Sequence, residues 1–298
     1  MNEKQNSQEK KHSKLKRFLK ILSIVIFILT IFSLYARFIG TKGLVVKEYK
    51  IVNEKFVDNF YGLKIVHLSD LHYGETTNKQ DLEVIINKIN LIKPDIVIFT
   101  GDLYSNEPSD EAKSELITNL KNIKSNIKKY AIKGNHDDST WEDIMKESDF
   151  INLNNNIDII YNSNNDSILI AGIDTNENID DDIKKVNELL KQKDSQEENS
   201  DVMQNFSYKI LLLHEPDKIL DFDYSNYDLI LAGHSHNGQI RLPFIGALYT
   251  PVGSKKYYDE FYDLGNTKLY ISSGIGTSKL KLRLFNRPSF NLYRLASK

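Results

Sequence analysis

An α/β domain carried behind a single membrane-spanning helix is the fold class that this 298-residue sequence predicts. Three observations predict it. Residues 21–36 carry no charge and follow a basic tail. Beyond residue 60, short apolar runs of strand length alternate with amphipathic stretches of helical spacing, the pattern of βαβ units. Polar residues of ligand type recur just past the ends of the apolar runs, where sites form in open α/β sheets.

A chain of this length buries a substantial core, in one large domain or two small ones. Its 39 Lys and Arg against 41 Asp and Glu leave a net charge of −2, so a polyanionic partner such as nucleic acid is not expected. There is no cysteine, which excludes disulfides, thiolate metal sites and a cysteine nucleophile. Any transition-metal site must therefore be built from His, Asp, Glu and Asn.

Residues 1–17 form a polar tail carrying Lys4, Lys10, Lys11, Lys14, Lys16 and Arg17. Residues 18–39 form the spanning helix, about 33 Å long at about 1.5 Å per residue. That crosses a hydrocarbon core of about 30 Å. Lys20 and Arg37 stand at its ends, where their charges can snorkel to the headgroups. A cleaved signal peptide would need a shorter apolar region and small residues before the cut, whereas Leu34 and Phe38 occupy the corresponding places. A retained anchor is expected. The basic excess before the helix puts the N-terminus in the cytoplasm and the following domain outside, near the lipid surface. The expected location is thus the cell membrane, crossed once.

Residues 40–60 read as a juxtamembrane lead-in with a first strand at 44–51, and residues 61–298 as the domain proper. Strands are expected at 63–68, 95–100 and 130–133. Leu82, Ile85, Ile86 and Ile89 space a helix over 81–91, and a second helix runs over 109–127 with Ser109 as its cap. Strands follow at 157–161, 168–171, 209–213, 229–232 and 269–271. Residues 176–207 are strongly polar and read as a mobile insertion with a surface helix near 180–190. There is no internal repeat and no glycine-rich phosphate loop.

Five clusters carry the chemistry: Asp70-Leu71-His72, Gly101-Asp102, Gly134-Asn135-His136-Asp137, His214, and Gly233-His234-Ser235-His236. Each follows an apolar run. Singly, each has an ordinary structural reading as a turn, a cap or a packed histidine. Together they hold five of the seven histidines, and their order on successive strand ends points to metal. His12 lies in the basic tail, and His67, inside a strand, reads as a buried, hydrogen-bonded side chain. Imidazole, carboxylate and amide oxygen together suit Mn, Fe, Zn, Co or Ni rather than Ca. The clusters offer seven candidate ligands, too many for one ion. With one carboxylate bridging, they fit two ions about 3.5–4 Å apart, which can hold a bridging hydroxide and the oxygens of a phosphate.

These five blocks, over about residues 60–295, resemble the signature of the calcineurin-like metallophosphoesterases. The phrases Leu213-His214-Glu215-Pro216-Asp217, Gly233–Ile240 and Ser273–Ser278 resemble a narrower branch of membrane-associated bacterial phosphoesterases, including relatives of UDP-2,3-diacylglucosamine pyrophosphatase. The resemblance implies a four-layer β-sandwich flanked by helices, with two divalent transition-metal ions, Mn, Fe or Zn foremost, at the strand ends. It implies one ion on Asp70, His72, Asp102 and His236, and another on Asp102, Asn135, His214 and His234, with Asp102 bridging. His136 would bind the phosphate or protonate the leaving oxygen. Asp137 stands where many members carry Glu, and would either orient His136 or cap the next helix. Arg283 and Arg287 would either assist phosphate binding or form a solvated basic patch. Tyr249, Tyr257, Tyr258, Phe261 and Tyr262 would either wall an acyl or sugar group or pack ordinarily.

The implied activity is attack by a metal-bridging hydroxide on a phosphodiester, phosphomonoester or pyrophosphate of a small-molecule, lipid or envelope substrate. A UDP-linked lipid would require a cytoplasmic site, in conflict with the charge count, so an envelope phosphodiester fits the expected topology better. A non-catalytic metal-binding module is the other class, and it would ordinarily have lost His136 or a ligand.

Overall fold

Strands apolar at every position are stable only where both faces of their sheet are covered. The structure, a computed structural model, describes residues 2–56, 60–162, 166–175, 179–194 and 206–297, and it meets that demand with two six-stranded sheets. The first has the order β1 (Val45–Val52), β14 (Ser289–Ala296), β2 (Lys64–Leu68), β3 (Ile96–Thr100), β4 (Lys128–Ile132), β5 (Ile151–Asn152). From β2 to β5 all neighbours are parallel, and β14 runs antiparallel to β2. The second has the order β12 (Phe261–Leu264), β13 (Thr267–Ile271), β9 (Leu229–Ala232), β8 (Tyr208–Leu212), β7 (Ser167–Gly172), β6 (Asn156–Tyr161). Its four inner strands are parallel. A small hairpin, β10 (Arg241–Leu242) and β11 (Gly246–Ala247), stands apart.

The period-2 alternation of the strands builds three cores. Ile65, Ile98 and Ile132 of the first sheet meet Ile170, Leu212 and Leu231 of the second. The opposite face of the first sheet packs against α2 (Lys79–Ile92), α3 (Asp110–Lys121) and α4 (Thr140–Glu147) through Leu82, Ile89, Leu116 and Trp141. The outer face of the second sheet, with Leu211 and Ile230, is covered by Val186 and Leu190 of α5 (Ile179–Asp194). The result is the four-layer sandwich, each buried Leu or Ile contributing about 1.5–3 kcal/mol.

Local signals agree with these elements. Asn78 and Asp81 close a capping box at α2, and Ser109 caps α3 by accepting from the Ala112 amide. Helix α3 stops at Lys121, short of the expected 127. There the amides of Asn126 and Ile127 bond to the carbonyls of Pro94 and Asp95 instead of continuing the helix. The lead-in supplies β1, paired in parallel with β14, a strand not expected from sequence. Of the polar insertion, 176–178 and 195–205 lie outside the described residues. Helix α1 (Asn2–Phe38) contains one stretch, Lys11–Phe38, long and apolar enough to cross a membrane; its 18-residue apolar window has a mean hydropathy of 2.4 and is unburied by the domain.

Candidate metal centre

The strand ends turn sharply, and the predicted ligands themselves do the turning. Asp70 (φ 52°), His72 (φ 44°), Asp102 (φ 59°), His234 (φ 64°) and His236 (φ 47°) all lie in the left-handed region. That conformation costs an L-residue roughly 1–2 kcal/mol, somewhat less for Asp and His. Residues held there by their surroundings cluster at functional sites. The turns pack so tightly that Gly134 lies directly on the Asp102 carboxylate and Gly233 on the Ser69 and Asp70 side chains, where any Cβ would overlap them.

Two clusters of ligand atoms result, each within 4.8 Å: Asp70, His72 and His236, then Asp102, His214 and His234. All six residues are buried. His236 Nε2 lies 3.1 Å from His72 Nε2 and 3.4 Å from Asp70 Oδ1. Asp102 Oδ2 lies between the clusters, 3.6 Å from His72 Nε2 and 3.3 Å from His214 Nε2. Asn135 Oδ1 stands 3.1 Å from His214 Nε2, on the exposed side of the site together with His136. All seven predicted ligands thus converge, from β2, β3 and β4 on one sheet and β8 and β9 on the other.

The far nitrogen of each imidazole is engaged. His214 Nδ1 donates to the Thr100 carbonyl (2.6 Å), His234 Nε2 to the Val252 carbonyl (2.6 Å), and His72 Nδ1 meets Ser105 Oγ (2.8 Å). Such contacts fix which nitrogen keeps its lone pair, as in metal-bound histidines. His236 Nδ1 lies 3.3 Å from Arg283 Nη2. Burial lowers His72 and His234 to about 4, and His236 well below its usual value, so these three are neutral donors. Burial raises Asp70 to about 7, tempered by His214. Burial also opposes the charged forms of His214 and Asp102. Their mutual attraction prevails, raising His214 to about 10 and holding Asp102 well below the carboxylate range. Neutral imidazoles facing one another at 3.1 Å beside buried carboxylates form a donor set that fits divalent transition ions.

The remaining predicted residues separate. The amide of His136 donates to Asp102 Oδ1 (3.0 Å), and its ring stands edge-on to His72 with centroids 5.4 Å apart. Asp137 meets neither His136 nor the helix. Its Oδ2 accepts from the Asp102 and Gly134 amides and its Oδ1 from the Leu103 amide, each at 2.8 Å. It therefore clamps two strand-end turns together. Asp138 instead accepts from the Thr140 amide at the start of α4.

Arg283 corrects both alternatives offered for it. It is completely buried, and its guanidinium serves the carbonyls of Ser273, Gly274, Gly276 and Asn286. It neither faces a phosphate nor joins a solvated patch. His67 is buried between Thr100 Oγ1 (2.8 Å) and the Tyr293 hydroxyl (3.3 Å). Of the five aromatics between 249 and 262, Tyr257 is buried and packs against Tyr262, while Tyr249 is exposed. Sequence reasoning missed Ser105, the Thr100 and Val252 carbonyls, and the place of Arg283. Backbone carbonyls leave no sequence signal, and Arg283 sits in a basic run that conceals it.

The fold and these strand ends define a class of metal-dependent phosphoester hydrolases. The chain belongs to the calcineurin-like phosphoesterases, whose profile matches residues 63–238, and that family uses a dinuclear metal site. It is 30% identical over 268 residues to the uncharacterized metallophosphoesterase YkuE of Bacillus subtilis, covering 88% of this chain and 89% of the relative. Identity to phosphodiesterase YaeI of Escherichia coli is 27% over 252 residues, covering 80% and 84%. To a transmembrane protein with metallophosphoesterase domain from Danio rerio it is 25% over 256 residues, covering 81% of this chain and 55% of that one.

Proposed function

We propose that the chain is a membrane-anchored phosphoesterase working with two divalent transition-metal ions on a phosphodiester of a lipid or envelope polymer. The observation that carries this reading is the position of Asp102 Oδ2 between two buried ligand clusters. Asp70, His72, Asp102 and His236 would hold one ion, and Asp102, Asn135, His214 and His234 the other. When bound, two such ions supply an activated water and Lewis-acid charge at a phosphate.

The chain's own groups do the rest. Thr100, Ser105 and Val252 orient the imidazoles. Asp137 fixes the turns that present Asp102 and Asn135. His136, tethered through its amide to Asp102 on the open side, hydrogen-bonds the phosphate and gives a proton to the leaving oxygen. Helix α1 holds the domain at the membrane with its N-terminus inside, and the domain faces out.

A phosphodiester is placed before a pyrophosphate because the named activity of YaeI is that of a phosphodiesterase. A UDP-2,3-diacylglucosamine-type substrate would also need the cytoplasmic face, against the charge of residues 1–17. A purely structural metal module has no use for a histidine held at the open side.

The test is hydrolysis by the purified full chain in detergent with Mn²⁺. Turnover of bis-p-nitrophenyl phosphate that exceeds turnover of the monoester and stops with a chelator is expected. No turnover with Mn²⁺, Fe²⁺ or Zn²⁺ would overturn the enzymatic reading.

A further inference from the structure

Beside the metal centre stands an apolar hairpin that no other part of the described domain covers. Between β10 and β11 the chain turns through Pro243, Phe244 and Ile245. Phe244 is 109% exposed, Ile245 70% and nearby Val252 81%. Isolated exposed apolar side chains are ordinary, but contiguous ones mark an interaction surface. Phe244 and Ile245 are consecutive at the tip, and exposed Leu248 follows β11 directly. The Leu248 amide donates to the Ile240 carbonyl, and Ile240 bridges to Leu284, flanked by exposed Leu280 and Phe285.

The same segment receives the end of helix α1. The Arg283 amide donates to the Ala36 carbonyl (3.0 Å), and Gly40 packs on the Arg283 carbonyl too closely for any Cβ. The next residue, Leu284, exchanges backbone hydrogen bonds with Gln239 and Arg241 at the base of the hairpin. Phe38 and Ile39, at the end of α1, are exposed as well. The hairpin is therefore fastened, through Arg283 and Leu284, to the place where the apolar helix enters the domain.

Its rim is basic. The ammonium groups of Lys255 and Lys279 stand 4.9 and 5.7 Å from the Tyr249 ring centroid. They donate to the Thr250 carbonyl and the Tyr249 hydroxyl, both neutral acceptors. An exposed Tyr between lysines, behind an apolar tip, suits the boundary of hydrocarbon and anionic headgroups.

We infer that the Phe244–Ile245 hairpin dips into the leaflet that α1 leaves, and seats the metal centre against lipid headgroups. The inference rests on reading α1 as a membrane span. It deepens the proposed function, because the chain leaving the hairpin runs on to Val252, whose carbonyl orients His234. The centre would then meet phosphodiesters in the headgroup layer ahead of soluble ones.

A chain without cysteine allows a single label at a chosen place. The full chain is reconstituted in nanodiscs of phosphatidylcholine with phosphatidylglycerol, and nitroxides are attached to Phe244→Cys, Ile28→Cys in the span, and Leu91→Cys at the exposed end of α2. Power-saturation EPR then compares accessibility to oxygen and to a water-soluble nickel chelate. Preference for oxygen at positions 28 and 244, with preference for nickel at 91, is the expected result. Nickel preference at 244 with oxygen preference at 28 overturns the hairpin proposal and leaves the anchor intact. Nickel preference at 28 overturns the anchor reading itself. Dipolar broadening between labels at 244 would mean that a second copy covers the hairpin, which also overturns the proposal.

Discussion

The two sheets bring unlike chemistry to the same seam. The first contributes two carboxylates, an amide and a single imidazole: Asp70, Asp102, Asn135 and His72. The second contributes imidazoles alone, His214, His234 and His236. Each half is held by the other. His214 of the second sheet leans on the Thr100 carbonyl of the first, and the His234 amide donates to both oxygens of Asp70 at 3.0 and 3.1 Å. A buried carboxylate with no partner costs several kcal/mol, so neither half is stable without its counterpart. Docking the sheets and assembling the ligand set are therefore one event. The left-handed backbone at five ligands is sustained within the first sheet by the Asp137 clamp and across the seam by the bonds to Asp70.

The deepest break in this arrangement is Asp102→Asn. It removes the charge that faces both clusters and pairs with His214. A loss on the order of 10³-fold or more in kcat/KM with Mn²⁺ is expected, and elemental analysis should find both ions depleted. A variant that kept two ions and activity within tenfold would show that the two sheets do not share this oxygen. His136→Ala breaks the first sheet's contribution differently. It should lower kcat by about 10²–10⁴-fold while leaving the metal content at the wild-type level. Loss of metal in that variant would make His136 part of the ligand set and not an acid on its open side.

The same division explains what was legible in the sequence. Runs such as Ile96-Val97-Ile98-Phe99 and Leu229-Ile230-Leu231-Ala232 announce strands because both faces are buried, and the polar residue after each marks its carboxyl end. The five clusters follow from that position rule without any knowledge of the pairing, and the resemblance separates the seven ligands from His136. Strand β14 was hidden because Ser289, Asn291 and Arg294 interrupt its apolar positions, and only its long-range pairing with β1 and β2 makes it a strand. Helix α4 is short, and Trp141, Ile144 and Met145 alone fix its buried face. The part of Asp137 was misjudged because a carboxylate beside a histidine in sequence suggests a pair. The turn instead points it at three amides across the two strand ends. No one-dimensional pattern reports which residues turn left-handed, nor which carbonyl waits for an imidazole.

A smaller break separates positioning from chemistry. Asp137→Asn keeps the volume but replaces one of two acceptor oxygens with a donor, facing amides that also donate. The variant should lose about 1–3 kcal/mol of stability and bind Mn²⁺ about 10- to 100-fold more weakly, read from thermal midpoints and titration calorimetry. At saturating Mn²⁺ its kcat should stay within a few-fold of wild type. A fall as deep as that of His136→Ala would return Asp137 to the catalytic residues.

The smallest effect concerns His67, which sits on the seam but holds no metal. Burial depresses its pKa from 6.5 to about 3. Above pH 6.5 it is neutral both folded and unfolded, and it costs nothing. As pH falls from 6.5 toward 3, the unfolded chain takes up a proton that the folded chain refuses. Stability then declines by about 1.4 kcal/mol per pH unit from this group alone. His67→Gln keeps a neutral polar group between Thr100 and Tyr293 but does not titrate. Denaturant midpoints of the Mn²⁺-free proteins at pH 7, 6, 5 and 4 should therefore converge on acidification, the variant losing less than wild type at each step. The other buried histidines titrate alike in both chains, so the difference between the curves isolates His67. Parallel curves would mean that His67 is already solvated in the folded protein, and that the seam is open at a buried histidine the metals do not secure.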